Sequence, residues 1–267
     1  MPELPEVEVT RRRLQRELVG SRFKQVVLRV KKLRLPVPAD LELVLSGRMV
    51  RAIDRRGKYL LFDCETGWLL VHLGMTGFLR LLRGSPLPEK HDHLDFVFDD
   101  GQRLRFHDPR KFGIVIWFSG APLLHPLLAE IGPEPLDRNF DGEYLFCVTR
   151  GRKVTVKQLI MNSTIVAGVG NIYANEALYR SCIRPDRAAG ELTLKEATKL
   201  AATIRDVLEE SIAEGDACLV AEDTVAYYPQ HFKVYGRGGK PCHKCNGTLD
   251  EIRLGGRSTV FCRICQK

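Results

Sequence analysis

No stretch of the chain approaches the ~18–20 consecutive apolar residues that a membrane-spanning helix requires. A helical membrane protein is therefore not expected. No apolar segment follows the opening MPELPEVEVTRRRLQ, which is acidic and then basic, so a secretory signal is not expected either. Internal repeats and low-complexity tracts are also missing. What is present is 267 residues, 44% hydrophobic and 28% charged, enough for one large domain or two ordinary ones with a real core. The expected compartment is cytoplasmic, a bacterial-type cytosol or nucleoid where thiols stay reduced.

Charge and cysteine are both distributed unevenly. His231–Lys267 hold eight basic and two acidic residues, a net +6 out of +8 for the whole chain. A compact basic end suits a polyanion partner, although a solvated basic surface has the same composition. Cys64, Cys147, Cys182 and Cys218 are scattered and read as small core residues. Cys242, Cys245, Cys262 and Cys265 form C-x2-C-x16-C-x2-C, a spacing suited to four thiolates on one structural zinc per chain. Each pair supplies two sulfurs from one tight turn. Asn246-Gly247 and Gly255-Gly256 supply turn chemistry between them. With four ligands from protein, no coordination position is left for catalysis.

The local patterns predict an α+β protein. A helix is expected over Pro5–Val19, with Glu6 and Glu8 in its first turn and Gly20 after its end. Short apolar runs at Phe23–Val30, Lys58–Cys64, Trp68–Leu82, Leu94–Phe98, Arg103–His107 and Gly113–Phe118 predict a β-sandwich. The Pro/Gly stretch Ile131–Pro135 reads as a linker. Helices are expected over Gly142–Thr149, Val156–Met161, Asn171–Ser181 and Leu194–Glu214, the last opened by a Thr193/Glu196 capping box. The domains expected are a β-sandwich over 1–130, a linker over 131–136, a helical domain over 137–230 and a zinc hairpin over 231–267.

Pro2 bears on chemistry. Removal of Met1 would leave a free secondary amine, with a pKa of about 8 against about 10.4 for lysine. Such an amine is nucleophilic near neutrality and forms an imine with an aldehyde-level carbon. Retention of Met1 would make it an amide and abolish that role. Glu3 is placed for proton transfer. Taken alone, the pair also reads as a simple helix lead-in.

The wider pattern decides between these readings. PELPEVE, RRGKYLLF, VHLGMTGFLRL, EKHDHLDF, DPRKFG, GVGNIYANEAL, VYGRGGKPCHKC and GGRSTVFCRICQK follow one another along the chain. This series closely resembles the formamidopyrimidine-DNA glycosylase family over essentially its whole length. The related endonuclease VIII branch typically opens PEGPE. The resemblance implies an N-terminal helix and β-sandwich, a helical domain with a helix–two-turn–helix motif over Gln158–Tyr179, and a zinc-bound β-hairpin. It implies a bifunctional glycosylase and abasic-site lyase acting on oxidised purines in double-stranded DNA, with no membrane partner and a monomeric state. Pro2 matches the nucleophile and Glu3 the general acid/base. Lys58 matches a proton-transfer residue of β-elimination, and Arg257 a residue of δ-elimination and phosphate contact. Met75, Arg110 and Phe112 match the wedge that fills the hole left by an extruded base. His72, His91, Arg152, Lys157 and Asn171, along with Arg110, match positions on the DNA backbone.

Two departures stand out. Residues 216–232, where the family's lesion-gripping loop falls, are a few residues short and carry Tyr228-Pro229 in place of the usual Gly-x-Phe-x-Gln. The expected consequence is an altered lesion spectrum, tilted from 8-oxoguanine toward the opened ring. Asn162-Ser163 stand where an Asp is common, a change read as structural. An endonuclease VIII-like enzyme for oxidised pyrimidines and a non-catalytic damaged-DNA-binding protein are the alternatives. Intact Pro2, Glu3 and Lys58 weigh against the second.

Overall fold

The computed structural model describes residues 2–218 and 231–267. The described residues form two units, one of 2–129 with 212–218 and one of 130–211 with 231–267.

The first unit opens with helix α1 (Leu4–Leu18). Leu4, Val7, Leu14 and Leu18 recur at helical spacing and are buried. Strand β1 (Phe23–Leu28) and the short helix α2 (Leu41–Leu45) follow. Seven strands come next: β2 (Ala52–Arg56), β3 (Tyr59–Asp63), β4 (Trp68–His72), β5 (Phe78–Arg83), β6 (Asp92–Phe98), β7 (Gln102–His107) and β8 (Ile114–Phe118). They make two four-stranded antiparallel sheets, ordered β1-β6-β7-β5 and β2-β3-β4-β8. Phe23, Phe96, Phe98 and Phe106 of the first sheet share a core with Leu60, Phe62, Leu69 and Val71 of the second. This is the expected sandwich.

Two elements differ from expectation. The apolar run Trp68–Leu82 is two strands, because 74–76 form a turn closed by the Gly77 N–H on the Leu73 carbonyl at 3.1 Å. Strand β2 was not predicted. Of its five residues only Ile53 is fully buried, so no alternating pattern marks it.

A short helix α3 (Pro126–Ala129) ends the first stretch. The second unit contains α4 (Gly142–Thr149), α5 (Val156–Ile160), α6 (Asn171–Ser181) and most of α7 (Leu194–Cys218). The Thr193/Glu196 capping box forms, with the Thr193 N–H on Glu196 at 2.9 Å and the Glu196 N–H on Thr193 Oγ1 at 3.2 Å. Helix α7 continues past Gly215, where a stop was expected. Asp216 in that extra turn pairs with Arg12 of α1, within the first unit. Strands β9 (Asp250–Leu254) and β10 (Arg257–Phe261) close the chain as a hairpin. Of the scattered cysteines only Cys64 is fully buried, and Cys147 is exposed, which corrects its reading as a core residue. Among the described residues no helix is long and apolar enough to cross a membrane.

Candidate active site

Pro2 is buried at the entrance to α1. Glu3, 1% exposed, is the N-cap of that helix. Its backbone N–H donates to the Glu6 carboxylate at 2.7 Å, and the two glutamates cap each other reciprocally. The chain therefore enters the helix in a fixed path. The positive end of the helix dipole lies beside Pro2. One turn further on, Glu8 is gripped by Arg11 (2.8 Å), Arg12 (2.8 Å) and Arg55 (3.0 Å). Burial alone would push its carboxyl up. The hydrogen bonds from Arg11 and Arg12, with the charge of Arg55, outweigh that and hold it at about 2.

Lys58 lies in the two-residue turn of the β2–β3 hairpin and is half-buried. The next residue, Tyr59, pairs with His72 across β3 and β4, their rings 4.8 Å apart. Burial drives the His72 imidazole down to about 4, and the charges of Lys58 and Arg34 act in the same direction. His72 is thus neutral at pH 7. Its Nδ1 accepts the Gly74 N–H at 3.0 Å, which leaves Nε2 as an N–H donor.

The two turns carrying Met75, Arg110 and Phe112 are brought together. A Cβ on Gly74 would lie 2.6 Å from both the Phe112 carbonyl carbon and the Gly113 nitrogen, so the backbones touch. Gly74 also takes φ +70°, a left-handed conformation that favours glycine. Met75 is half-buried, Phe112 is 42% exposed, and the Arg110 guanidinium lies 4.7 Å over the Phe112 ring. His91, half-buried, accepts the Asp108 N–H on its carbonyl at 3.0 Å.

Sequence reasoning missed Asp108. It is fully buried, and its carboxylate accepts the Gly113 N–H at 2.8 Å and the Arg110 N–H at 3.2 Å. Its place before a proline in a turn is the one local signal for such a role.

In the second unit the four predicted cysteines converge. Their sulfurs all lie within 4.8 Å of one another, with Cys242–Cys265 at 4.0 Å and Cys245–Cys262 at 3.5 Å. A disulfide would need about 2.05 Å. Sulfurs at ~2.3 Å from a tetrahedral zinc lie about 3.8 Å apart, so the cluster fits one structural zinc. Burial pushes the Cys242 thiol up, but hydrogen bonds from the Tyr179 hydroxyl (3.2 Å) and the Lys244 N–H (3.4 Å) bring it down to about 6. Burial and the neighbouring sulfurs push Cys265 up to about 12, the behaviour of thiols that need a cation to ionise together.

Gly255 and Gly256, with φ of +55° and +76°, form the two-residue hairpin turn, and the exposed Arg257 follows directly. The hairpin docks on α6 through the Val260 N–H on Asn175 Oδ1 at 2.9 Å.

Lys157 needs correction as a DNA contact. It is 1% exposed, and its ammonium donates to the Ser258 carbonyl (2.8 Å) and Thr259 Oγ1 (2.7 Å). It fastens α5 to the hairpin, so its charge is not presented to solvent. Arg152 is exposed just after α4. Asn171 is the first residue of α6, and its Oδ1 is buried without a hydrogen-bond partner among the described residues. Asn162 Oδ1 accepts the Thr164 N–H at 3.0 Å, in keeping with a structural turn. Sequence reasoning also missed Glu176, 4% exposed, whose carboxylate accepts the N–H groups of Lys233, Val234 and Tyr235 at 2.9 Å each. Its acidic position on the apolar face of α6, among Tyr173 and Ala177, was the available signal. Tyr228-Pro229 and Met1 lie outside the described residues.

A sandwich headed by a proline-bearing helix, and a helical unit ending in a four-cysteine hairpin, define the class of zinc-finger proteins with a helix–two-turn–helix domain. Family models match accordingly: a formamidopyrimidine-DNA glycosylase N-terminal domain over residues 1–115, the H2TH domain of the same family over 131–222, and a zinc finger found in FPG and IleRS over 239–267. The chain belongs to the formamidopyrimidine-DNA glycosylase family.

It is 66% identical over 266 residues to a formamidopyrimidine-DNA glycosylase of Geobacter metallireducens and 62% identical to one of Pelobacter propionicus, covering 100% of both chains in each case. Among solved structures it is similar to Lactococcus lactis Fpg complexed with abasic-site DNA, at 32% identity and a TM-score of 0.91, with 100% of each chain covered. The complex of Fpg from the same organism with Fapy-dG-containing DNA is equally similar, also at 32% identity and a TM-score of 0.91, covering 99% of this chain and 100% of that one.

Proposed function

We propose that this protein is a DNA repair enzyme of the bacterial-type cytosol or nucleoid, a monomeric glycosylase and abasic-site lyase for oxidised purines in duplex DNA. The observation that carries this reading is the fixed entry to α1, where a buried proline and the buried cap Glu3 stand together at the positive end of a helix. Full-length similarity to proteins named formamidopyrimidine-DNA glycosylase supports it. In this reading the domains are 1–130, a linker over 131–136, 137–230 and the hairpin over 231–267.

With Met1 removed, the freed Pro2 amine attacks C1′ of an extruded nucleotide. Its bond to C1′ forms as the C1′–base bond breaks, Glu3 giving the leaving base a proton and taking back the one that the Pro2 nitrogen sheds. Glu3 then protonates O4′, the C1′–O4′ bond breaks, and an iminium joins C1′ to Pro2. Lys58 shuttles the proton lost from C2′ as the C3′–O bond breaks. Arg257 binds the phosphate leaving from C5′ in the second elimination. Water then hydrolyses the iminium and restores the Pro2 amine. Met75, Phe112 and Arg110 occupy the vacated step, Arg110 pairing with the orphaned base. His72 as a neutral donor, with His91, Arg152 and Asn171, holds the backbone. The zinc would hold the hairpin that carries Arg257.

The test is borohydride trapping on a duplex with an abasic site. A covalent adduct mapping to Pro2 is expected. An adduct on Lys58, with Pro2→Gly fully active, would overturn the assignment.

A further inference from the structure

The wedge residues sit on two separate turns, 74–76 between β4 and β5 and 108–113 after β7. Both converge on one buried carboxylate. Asp108 Oδ2 takes the Gly113 N–H at 2.8 Å, at the end of the turn. Oδ1 takes the Arg110 N–H at 3.2 Å, near its start, and the Thr76 hydroxyl of the other turn at 3.5 Å. The Asp108 backbone is fixed in turn by its N–H, which donates to the His91 carbonyl (3.0 Å), and by its carbonyl, which accepts from His93 Nε2 (2.8 Å). Between the two hydrogen-bonded ends, Lys111 is held at φ 55°, a conformation that side chains other than glycine rarely adopt. The 108–113 turn therefore has one shape, set from its buried side, while Arg110 and Phe112 stay exposed on the other.

A wedge inserted between base steps is useful only in proportion to its rigidity, because every rotor frozen on insertion subtracts from binding. We infer that Asp108 is the positioning residue of the wedge. It locks the Met75 turn and the Arg110–Phe112 turn into one preformed plate that drives extrusion of the base. The inference deepens the glycosylase reading and rests on it. Asp108 touches neither the reacting sugar nor the extruded base. Its loss should therefore affect steps that require an unstacked duplex and spare chemistry on a nucleotide that is already free.

Asp108→Asn is nearly isosteric but turns one acceptor oxygen into a donor facing an N–H. Base excision from a lesion-bearing duplex, in single turnover, should fall by about tenfold or more, the scale of a buried donor left unmatched. Imine trapping on a single-stranded abasic oligonucleotide, which has no stack to open, should stay within about twofold of the unsubstituted protein. Thr76→Val removes only the hydroxyl and should lower duplex excision by about threefold, again sparing single-strand trapping. Unchanged duplex excision in Asp108→Asn overturns the inference. So does a parallel loss of both activities in Asp108→Asn together with full activity in Thr76→Val. Failure of the underlying glycosylase reading would show differently, as absence of trapping by the unsubstituted protein, and would overturn both.

Discussion

The Lys157 ammonium donates to the Ser258 carbonyl oxygen at 2.8 Å, tying α5 to the strand that begins with Arg257. A cation placed this way holds a hairpin instead of meeting a phosphate. Lys157→Met should lower the stability of the protein by about 1.5–3 kcal/mol, the scale of charge-assisted hydrogen bonds. Urea unfolding measures this. The slope of log affinity for DNA against log salt should be unchanged, and a slope reduced by about one would show Lys157 reaching a phosphate.

Glu3→Gln should separate the two chemical stages. Base removal and sugar opening need its proton, whereas an abasic site already presents an aldehyde. Excision from a lesion duplex should drop by about a hundredfold or more, the low end of general acid–base contributions. Cleavage of a pre-formed abasic site should drop by much less. Equal losses in both assays would remove Glu3 from the proton-transfer role.

Metal analysis should find one zinc per chain. Cys→Ser at 242, 245, 262 or 265 should release it and weaken DNA binding, because the hairpin bearing Arg257 loses its anchor. Imine formation at saturating DNA should survive at a reduced level. Undiminished DNA affinity in all four variants would separate the metal from binding.

The Glu8 carboxyl sets a pH dependence of stability. Its folded value of about 2 lies below the ordinary 4.5. The stabilisation is therefore fully present above pH 4.5 and is lost as the pH falls toward 2. At roughly 1.4 kcal/mol per unit, it amounts to on the order of 3 kcal/mol. Denaturant unfolding should show Glu8→Gln weaker than the unsubstituted protein at pH 7, with the gap closing near pH 2–3. A gap that persists there would mean packing, not charge, explains the loss.

Local patterns were the legible part of the sequence. Helices Gly142–Thr149 and Asn171–Ser181 have the bounds expected from their local patterns. The four cysteines converge because their spacing in two tight pairs leaves few other geometries. The illegible part depended on where polar atoms end up. Nothing near Lys157 in the chain shows that its ammonium finds Thr259, 102 positions away. Glu176 likewise serves three N–H groups 57 to 59 positions further on. Strand β2 escaped notice because pairing with β3, and not burial of its own side chains, makes it a strand.

The Arg12–Asp216 pair joins positions 204 apart. Contacts so distant in the chain form late, since the intervening segment must first be made and ordered. During synthesis, α1 can assemble with the sandwich as soon as residue 129 has emerged, yet its Arg12 side chain waits for the end of α7. The first unit is thus begun first on the ribosome and completed only after residues 130–211 of the second have been translated, while the cysteine hairpin is still to come.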